Sequence, residues 1–418
     1  MNTLPARAGT TNNNLMITRH YQPTIVCLAS FFKGVPFLRE CRQQGWRVAL
    51  LTQEKLQQDW PVDCYDELLT VPDRLEIEAY LHAVTEFART HKPARIVALE
   101  ESDVITAARI REHLCLPGLD TTTARQFRDK LAMRVRGAAM GLPQPEFVHL
   151  LNYQEVGEFM DRVPPPWVVK PRADASSIGI TRLQHADEVW QLKDALDARA
   201  AARERSAYYL LESCIAGPVY HVDALSHDQQ VLFAGVNRYG QPPLEIAQHG
   251  GVATSFTLPY ESAERAALCQ LNQRLLRDFG LNQGASHAEF IQSAADGQFY
   301  FLEVAARVGG AYTAETLEAA TGLNLWREWA RVETAQTYQL PPTRQTYSGL
   351  AVSLARQETP DTSAYTEPEI VYRVAKPWHV GLVVQSPRYS RVQELLAQYE
   401  QRFQTEFTAR APQPKRPE

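Results

Sequence analysis

His287–Gly310 reads HAEFIQSAADGQFYFLEVAARVGG. Apolar runs flank Asp296-Gly297, a strong turn dipeptide, and predict two short strands, Ser286–Gln292 and Gln298–Ala305, joined at Ala294–Gly297. Each strand carries one carboxylate among apolar neighbours, Glu289 on the first and Glu303 on the second. A lone carboxylate in such a run is costly unless paired, and two on neighbouring strands repel unless a divalent cation lies between them. A two-residue turn would set Glu289 opposite Val304 and send Glu303 to the other face. One extra loop residue or a bulge sets the two glutamates opposite each other. The second register is the one expected here, because it alone builds a metal site. The bland alternative is a surface hairpin with two solvated glutamates.

Arg307 follows at once, then Gly309-Gly310. A guanidinium and a flexible turn beside a dicarboxylate suit a phosphate that the metal also touches.

The 418 residues, 44% hydrophobic, make room for two to four domains, and a net charge of −5 without a basic block favours neither nucleic acid nor an anionic membrane. Six cysteines are scattered with no CxxC pair and read as reduced thiols of a cytoplasmic protein. No apolar run is long enough to span a bilayer. Residues 1–20 lack the features of a signal peptide and read as a loose tail, and Ala409–Glu418 reads as frayed.

Taken in order, Thr24–Ser30 is a strand, Pro36–Gln44 a helix stopped by Gly45, and Arg47–Thr52 a second strand. Ala94–Leu99 and a helix over Val104–Leu114 repeat the alternation, which argues for a parallel sheet covered by helices. No GxGxxG follows the first strand, against a dinucleotide site. Glu101 lies just past a strand end, where open α/β sheets place ligand groups; a carboxylate there equally complements a helix dipole. Apolar spacing predicts one helix over Ala124–Met140, with Lys130 off its apolar stripe; alone, that lysine reads as a solvated surface group. Pro164–Pro166 leads into a short strand, Trp167–Val169, that ends at Lys170-Pro171, followed by the small-residue loop ADASSIGI, a plausible phosphate grip unrelated to a Walker A motif. Ala186–Ala207 reads as a solvated helix, and Tyr208–Cys214 as a strand interrupted by Glu212. Val219–Leu225 and Thr254–Leu258 are strands, His249-Gly250-Gly251 a loop, and Glu261–Phe279 an amphipathic helix closed by Gly280. Tyr312–Thr321 and Leu325–Glu333 are helical; beyond Pro341 the pattern is β-like, over Leu350–Leu354, Ile370–Val374 and Gly381–Val384, with a closing helix over Arg391–Phe403.

The order of these signals is more telling than any one of them. DK at Lys130, VVKP at Lys170, LLE at Glu212, then Glu289 and FLEVAAR at Glu303–Arg307 resembles the ATP-grasp superfamily, over about residues 24 to 335. ALEESDVITAARIREHLCLPG before the DK helix is similar to the pre-ATP-grasp domain of the carboxylate–amine ligase (L-amino-acid-ligase-like) and biotin-carboxylase-like branches. The resemblance implies an α/β, ATP-grasp fold: a tail (1–20), a Rossmann-like pre-ATP-grasp domain (21–125), a mobile lid subdomain with entry helix (126–210), a catalytic subdomain (211–335), and a small β-rich C-terminal lobe with its tail (336–418).

It also implies site roles. Lys130 and Lys170 would contact ATP phosphates, with Ser176 and Ser177 in the lid above them. Glu212 would sit at the adenine end, with Ser213, Cys214 and Ile215 reading the base by their backbone. Glu289 and Glu303 would hold two Mg2+ ions, with Mn2+ as a substitute, and Arg307 would stabilise the transferring phosphoryl group. Glu101, His249, Gly250, Gly251, Gly309 and Gly310 are candidates for the substrate end, His249 being equally an ordinary loop histidine. Three departures stand out. Ala305 replaces an Asn that the family uses as a metal ligand. Val219 replaces a ribose-binding Glu, a role His221 could take from the same strand face. Asp174 and Ser176 replace lid glycines.

The activity implied is an ATP-dependent carboxylate–amine ligase acting on small molecules, amino acids above all, through an acyl phosphate, with ADP and phosphate released. A homodimer is compatible with this reading. A bicarbonate-using carboxylase and a non-catalytic nucleotide-binding module are the alternatives.

Overall fold

The computed structural model describes residues 22–73, 76–174 and 177–409. The expected tail at 1–20, Ser176 of the lid loop and the chain from residue 410 onward lie outside the described residues. Three sheets follow one another along the chain.

The first is parallel, in the order β3-β2-β1-β4, from β1 (Thr24–Ala29), β2 (Arg47–Gln53), β3 (Glu67–Val71) and β4 (Pro93–Ala98). All six residues of β1 are buried, as an unbroken apolar run requires when helices cover both faces. α1 (Val35–Gln43) lies on one face; α2 (Ile77–Ala88) and α3 (Val104–His113) lie on the other. The sequence reading leaves β3 and α2 unassigned.

The helix expected over Ala124–Met140 is two helices, α4 (Thr121–Arg125) and α5 (Lys130–Ala139). Asp129 divides them. Its carboxylate accepts from the amides of Leu131 and Ala132 as the N-cap of α5 and also takes the guanidinium of Arg172 at 2.5 Å. The break makes Lys130 the first residue of α5 and buries it, correcting the expectation of a solvated lysine.

A small antiparallel sheet, β5-β8-β6-β7, comes next. It contains β5 (Phe147–His149), β6 (Trp167–Pro171), β7 (Thr181–Leu183) and β8 (Tyr209–Ser213), covered by α6 (Tyr153–Arg162) and α7 (Ala186–Asp197). α7 is shorter than expected because Asp197 turns back to bind the amide and hydroxyl of Ser206.

The third sheet has eight strands. It is built from β9 (Val219–His227), β10 (Gln230–Tyr239), β11 (Ala253–Thr257), β12 (Gly284–Gln292), β13 (Phe299–Ala305), β14 (Tyr347–Leu354), β15 (Ile370–Arg373) and β16 (His379–Ser386), in the order β13-β12-β9-β10-β11-β14-β16-β15. The C-terminal strands therefore extend this sheet through β14 against β11. β10 escapes the sequence reading because its turn, Asp228-Gln229, has φ of 48° and 65° without the Asn-Gly or Asp-Gly pair that announces such turns. α8 (Pro243–His249) precedes β11, and α9 (Ala263–Phe279), capped by Ser262, backs the sheet. α10 (Thr313–Thr321) and α11 (Leu325–Thr334) join it to the first domain, since Trp326 and Trp329 share one core with Phe37 and Leu38 of α1. α12 (Tyr389–Glu406) closes the chain. Among the described residues no helix is long and apolar enough to cross a membrane.

Asp129→Ala is expected to lower unfolding stability by about 1–2 kcal/mol, the scale of a lost helix cap, measured by urea denaturation.

Candidate active site

The β12–β13 hairpin decides the site. A bulge between Glu289 and Phe290 lets Glu289 pair with Glu303, the register expected as the one that sets both carboxylates at a metal site. The row continues across the sheet, because Glu289 also pairs with His221 on β9, and His221 with Asn237 on β10. One pleat along lies a second row of Ala305, His287, Asp223 and Gly235.

Cations approach from two other elements. The Lys130 ammonium lies 2.8 Å from Glu303 and donates to the Asp174 carbonyl at 2.7 Å. Lys170, the fourth residue of β6, lies 2.7 Å from Glu212. Burial pulls its pKa down and Glu212 pushes back, leaving it at about 8. Burial alone would raise the pKa of Glu303, but Lys130 and then Lys170 hold it below the usual range, so both lysines act on one carboxylate. Glu212 is shared with Arg134, whose Nε lies 2.7 Å away and whose Nη2 donates to the Leu302 carbonyl. Arg134 is fully buried and was not anticipated. The available signal was its i, i+4 spacing from Lys130, which puts both on one face of α5.

Arg307 reaches back to the first domain. Its Nε donates to Glu101 at 3.0 Å, its Nη2 makes a second, shorter contact with the same oxygen, and Glu100 lies 3.5 Å away. Arg128 holds the other oxygen of Glu101 at 2.8 Å. Burial would raise the pKa of Glu101, but Arg307 and Arg128 bring it down to about 2. Glu101, expected at the substrate end, is thus committed to two guanidinium groups and orients Arg307.

Other expectations need correction. His221 is buried, with Nδ1 2.6 Å from Asp223 and Nε2 2.7 Å from the Ser255 hydroxyl, so both nitrogens are engaged within the protein and the ring is not free for a ribose. The amides of Ser213 and Cys214 already donate to the carbonyls of Glu146 and Pro166. Their N–H groups are therefore not free to read a base. His249 ends α8 instead of lying in a loop; it is exposed beside Glu245, and among the described residues no contact joins His249, Gly250 or Gly251 to the carboxylates. Ser177 takes a left-handed φ of 58° beyond Lys170, and Ile215 follows the end of β8. Gly309 lies against the second row, where a Cβ would come within 2.5 Å of Asp223 Oδ1 and 2.9 Å of His287 Nδ1; Gly310 faces open space.

Glu289 and Glu303 are hard oxygen donors side by side, and an ammonium cation already sits on Glu303. This donor set fits Mg2+.

Residues 163–315 match the family model of the ATP-grasp domain. Those residues are similar to an ATP-grasp domain. Over 262 residues this chain is 22% identical to the L-arginine-specific L-amino acid ligase of Bacillus subtilis, covering 62% of each chain, so it spans less than two thirds of that relative's length. Its fold is similar to the crystal structure of L-amino acid ligase from Bacillus licheniformis, with a TM-score of 0.72 at 18% identity, covering 94% of this chain and 99% of that one. It is also similar to N5-carboxyaminoimidazole synthetase from Staphylococcus aureus complexed with ADP, with a TM-score of 0.69 at 12% identity, covering 91% and 98%. The candidate site lies where the first domain, the small sheet and the large sheet meet.

The buried trio of Arg134, Glu212 and Lys170 generates a stability prediction. Arg134→Ala leaves Glu212 with one partner and is expected to cost about 3–5 kcal/mol, the scale of breaking a buried ion pair. Denaturant unfolding at neutral pH measures it.

Proposed function

We propose that this protein is an ATP-dependent carboxylate–amine ligase for small molecules, amino acids in particular. The observation that carries the reading is the pairing of Glu289 with Glu303 across the bulge, with Lys130, Lys170 and Arg307 converging on them. Likeness to L-amino acid ligases in sequence and fold supports it.

Lys130 and Lys170 bind the triphosphate, with Ser177 of the lid loop closing over it. Arg134 holds Glu212 and so fixes Lys170. Glu289 and Glu303 would hold two magnesium ions, which supply charge neutralisation and alignment of the phosphates. Arg307, held in orientation by Glu101, neutralises charge on the transferring phosphoryl group. A substrate carboxylate attacks the γ-phosphorus, ADP departs, and an acyl phosphate forms. An amine then attacks the acyl carbon, the C–O bond to phosphate breaks, the nitrogen loses a proton, and an amide and inorganic phosphate result. The Gly309-Gly310 turn lets the substrate approach beside Arg307.

Phosphate release from ATP is expected only when a carboxylate and an amine are both supplied, with the amide found by mass spectrometry across amino-acid pairs. Release with bicarbonate alone would favour a carboxylase; ATP binding without release would favour a sensor. Glu303→Ala is expected to abolish release with little change in melting temperature, and Arg307→Ala to slow it by about 10²–10³. Turnover retained in Glu303→Ala would reject the metal role.

A further inference from the structure

The mechanism above leaves a chain of polar side chains beneath Glu289 unused. His287 lies two residues before Glu289 on β12 and so shares its face. Its Nδ1 is 2.8 Å from Asp223 Oδ1, and its Nε2 faces Glu289 Oε1 at 3.5 Å. Asp223 is completely buried, and its second oxygen lies 2.6 Å from His221 Nδ1. His221 in turn meets the Ser255 hydroxyl at 2.7 Å. On the far side, Tyr239 donates to the same Glu289 oxygen at 2.9 Å.

Two histidines and an aspartate could instead form a metal site of their own. The distances decide against that. Ligand atoms around an ion at about 2.1 Å stand about 3.4 Å apart in a tetrahedral site. The observed 2.6 and 2.8 Å are hydrogen-bond separations. The Asp223 carboxylate can only accept, so Nδ1 carries the proton of that bond, and the ring held in this way turns Nε2 toward Glu289. Gly309 closes over the Asp223–His287 bond too tightly for a Cβ, and the small Ala305 opposite His287 leaves the ring its place.

We propose that His287 is a positioning residue for Glu289: clamped by Asp223 through Nδ1–H, it presents Nε2–H to the Glu289 carboxylate and fixes that carboxylate for the metal ion. The inference rests on the reading of Glu289 as a magnesium ligand. His221 and Ser255 hold the clamp in place from its other oxygen, and Tyr239 restrains Glu289 opposite the ring. Such outer hydrogen bonds orient metal-ligating groups, and losing one commonly costs about 10–100-fold in metal affinity.

The test is Mn2+ binding to the full chain with ADP present, followed by electron paramagnetic resonance, with ADP binding without metal as the reference. Asn can keep the bond to Asp223 but cannot reach Glu289; Gln can reach Glu289. His287→Asn is therefore expected to weaken Mn2+ binding about tenfold or more, and His287→Gln to recover much of the loss, with metal-free ADP binding unchanged in both. Asp223→Ala, which removes the acceptor and leaves the ring unclamped, is expected to resemble His287→Asn and carries the test should that variant not fold. Wild-type Mn2+ affinity in His287→Asn or Asp223→Ala, or a Gln variant of His287 no better than the Asn variant, overturns the proposal. Glu289→Gln separates the two readings. If it loses Mn2+ while His287→Asn does not, only the positioning role falls; if it binds Mn2+ normally, the metal role of Glu289 falls and the inference with it.

Discussion

Two like charges held opposite each other on adjacent strands set the terms for this molecule. Glu289 and Glu303 face one another because a bulge inserts the residue that a regular hairpin lacks. Such a pair is unfavourable by itself, so the fold must deliver compensating groups to both members. Lys130 serves Glu303, while Tyr239 and His287 serve Glu289. α5 must begin at residue 130 for that lysine to arrive, which is what the Asp129 cap ensures.

The same balance recurs outward from the hairpin. Lys170 and Arg134 share Glu212, Arg307 and Arg128 share Glu101, and Lys33 pairs with Glu100. Each principal cation of the site is thus held by a carboxylate from a different part of the chain. Under the proposed function, an arriving triphosphate would exchange partners with these groups instead of entering an unbalanced positive cavity. Holding the donors in place beforehand would remove reorganisation from the proposed reaction, at a desolvation cost that the mutual pairing offsets.

Much of this was legible in the chain. The Asp-Gly turn, the carboxylates in apolar runs and the lysine at a strand end all carry local physical meaning, and the structure places Lys130, Lys170, Glu212, Glu289, Glu303 and Arg307 in one region. Other features were hidden for identifiable reasons. The helix break at Asp129 is masked by apolar residues that keep helical spacing on both sides of it. The β9–β10 turn uses Asp228-Gln229 in a left-handed conformation that these residue types seldom announce. Asp223 looks like one polar residue in an apolar strand until β12 brings His287 beside it.

The amino-acid sequence by itself determined the alternation of strands and helices in the first domain, the turn at Asp296-Gly297 and the residue types able to grip a phosphate and a metal. These depend on interactions within a few residues. Only the tertiary structure decided that Arg134 shares Glu212 with Lys170, that Glu101 pairs with Arg307 and Arg128, that His221 faces Asp223, and that the last strands extend the large sheet. The physical reason is that a charged side chain takes its role from whichever opposite charge lies within about 3 Å once water is excluded, and those partners are brought together by packing between segments far apart in the chain.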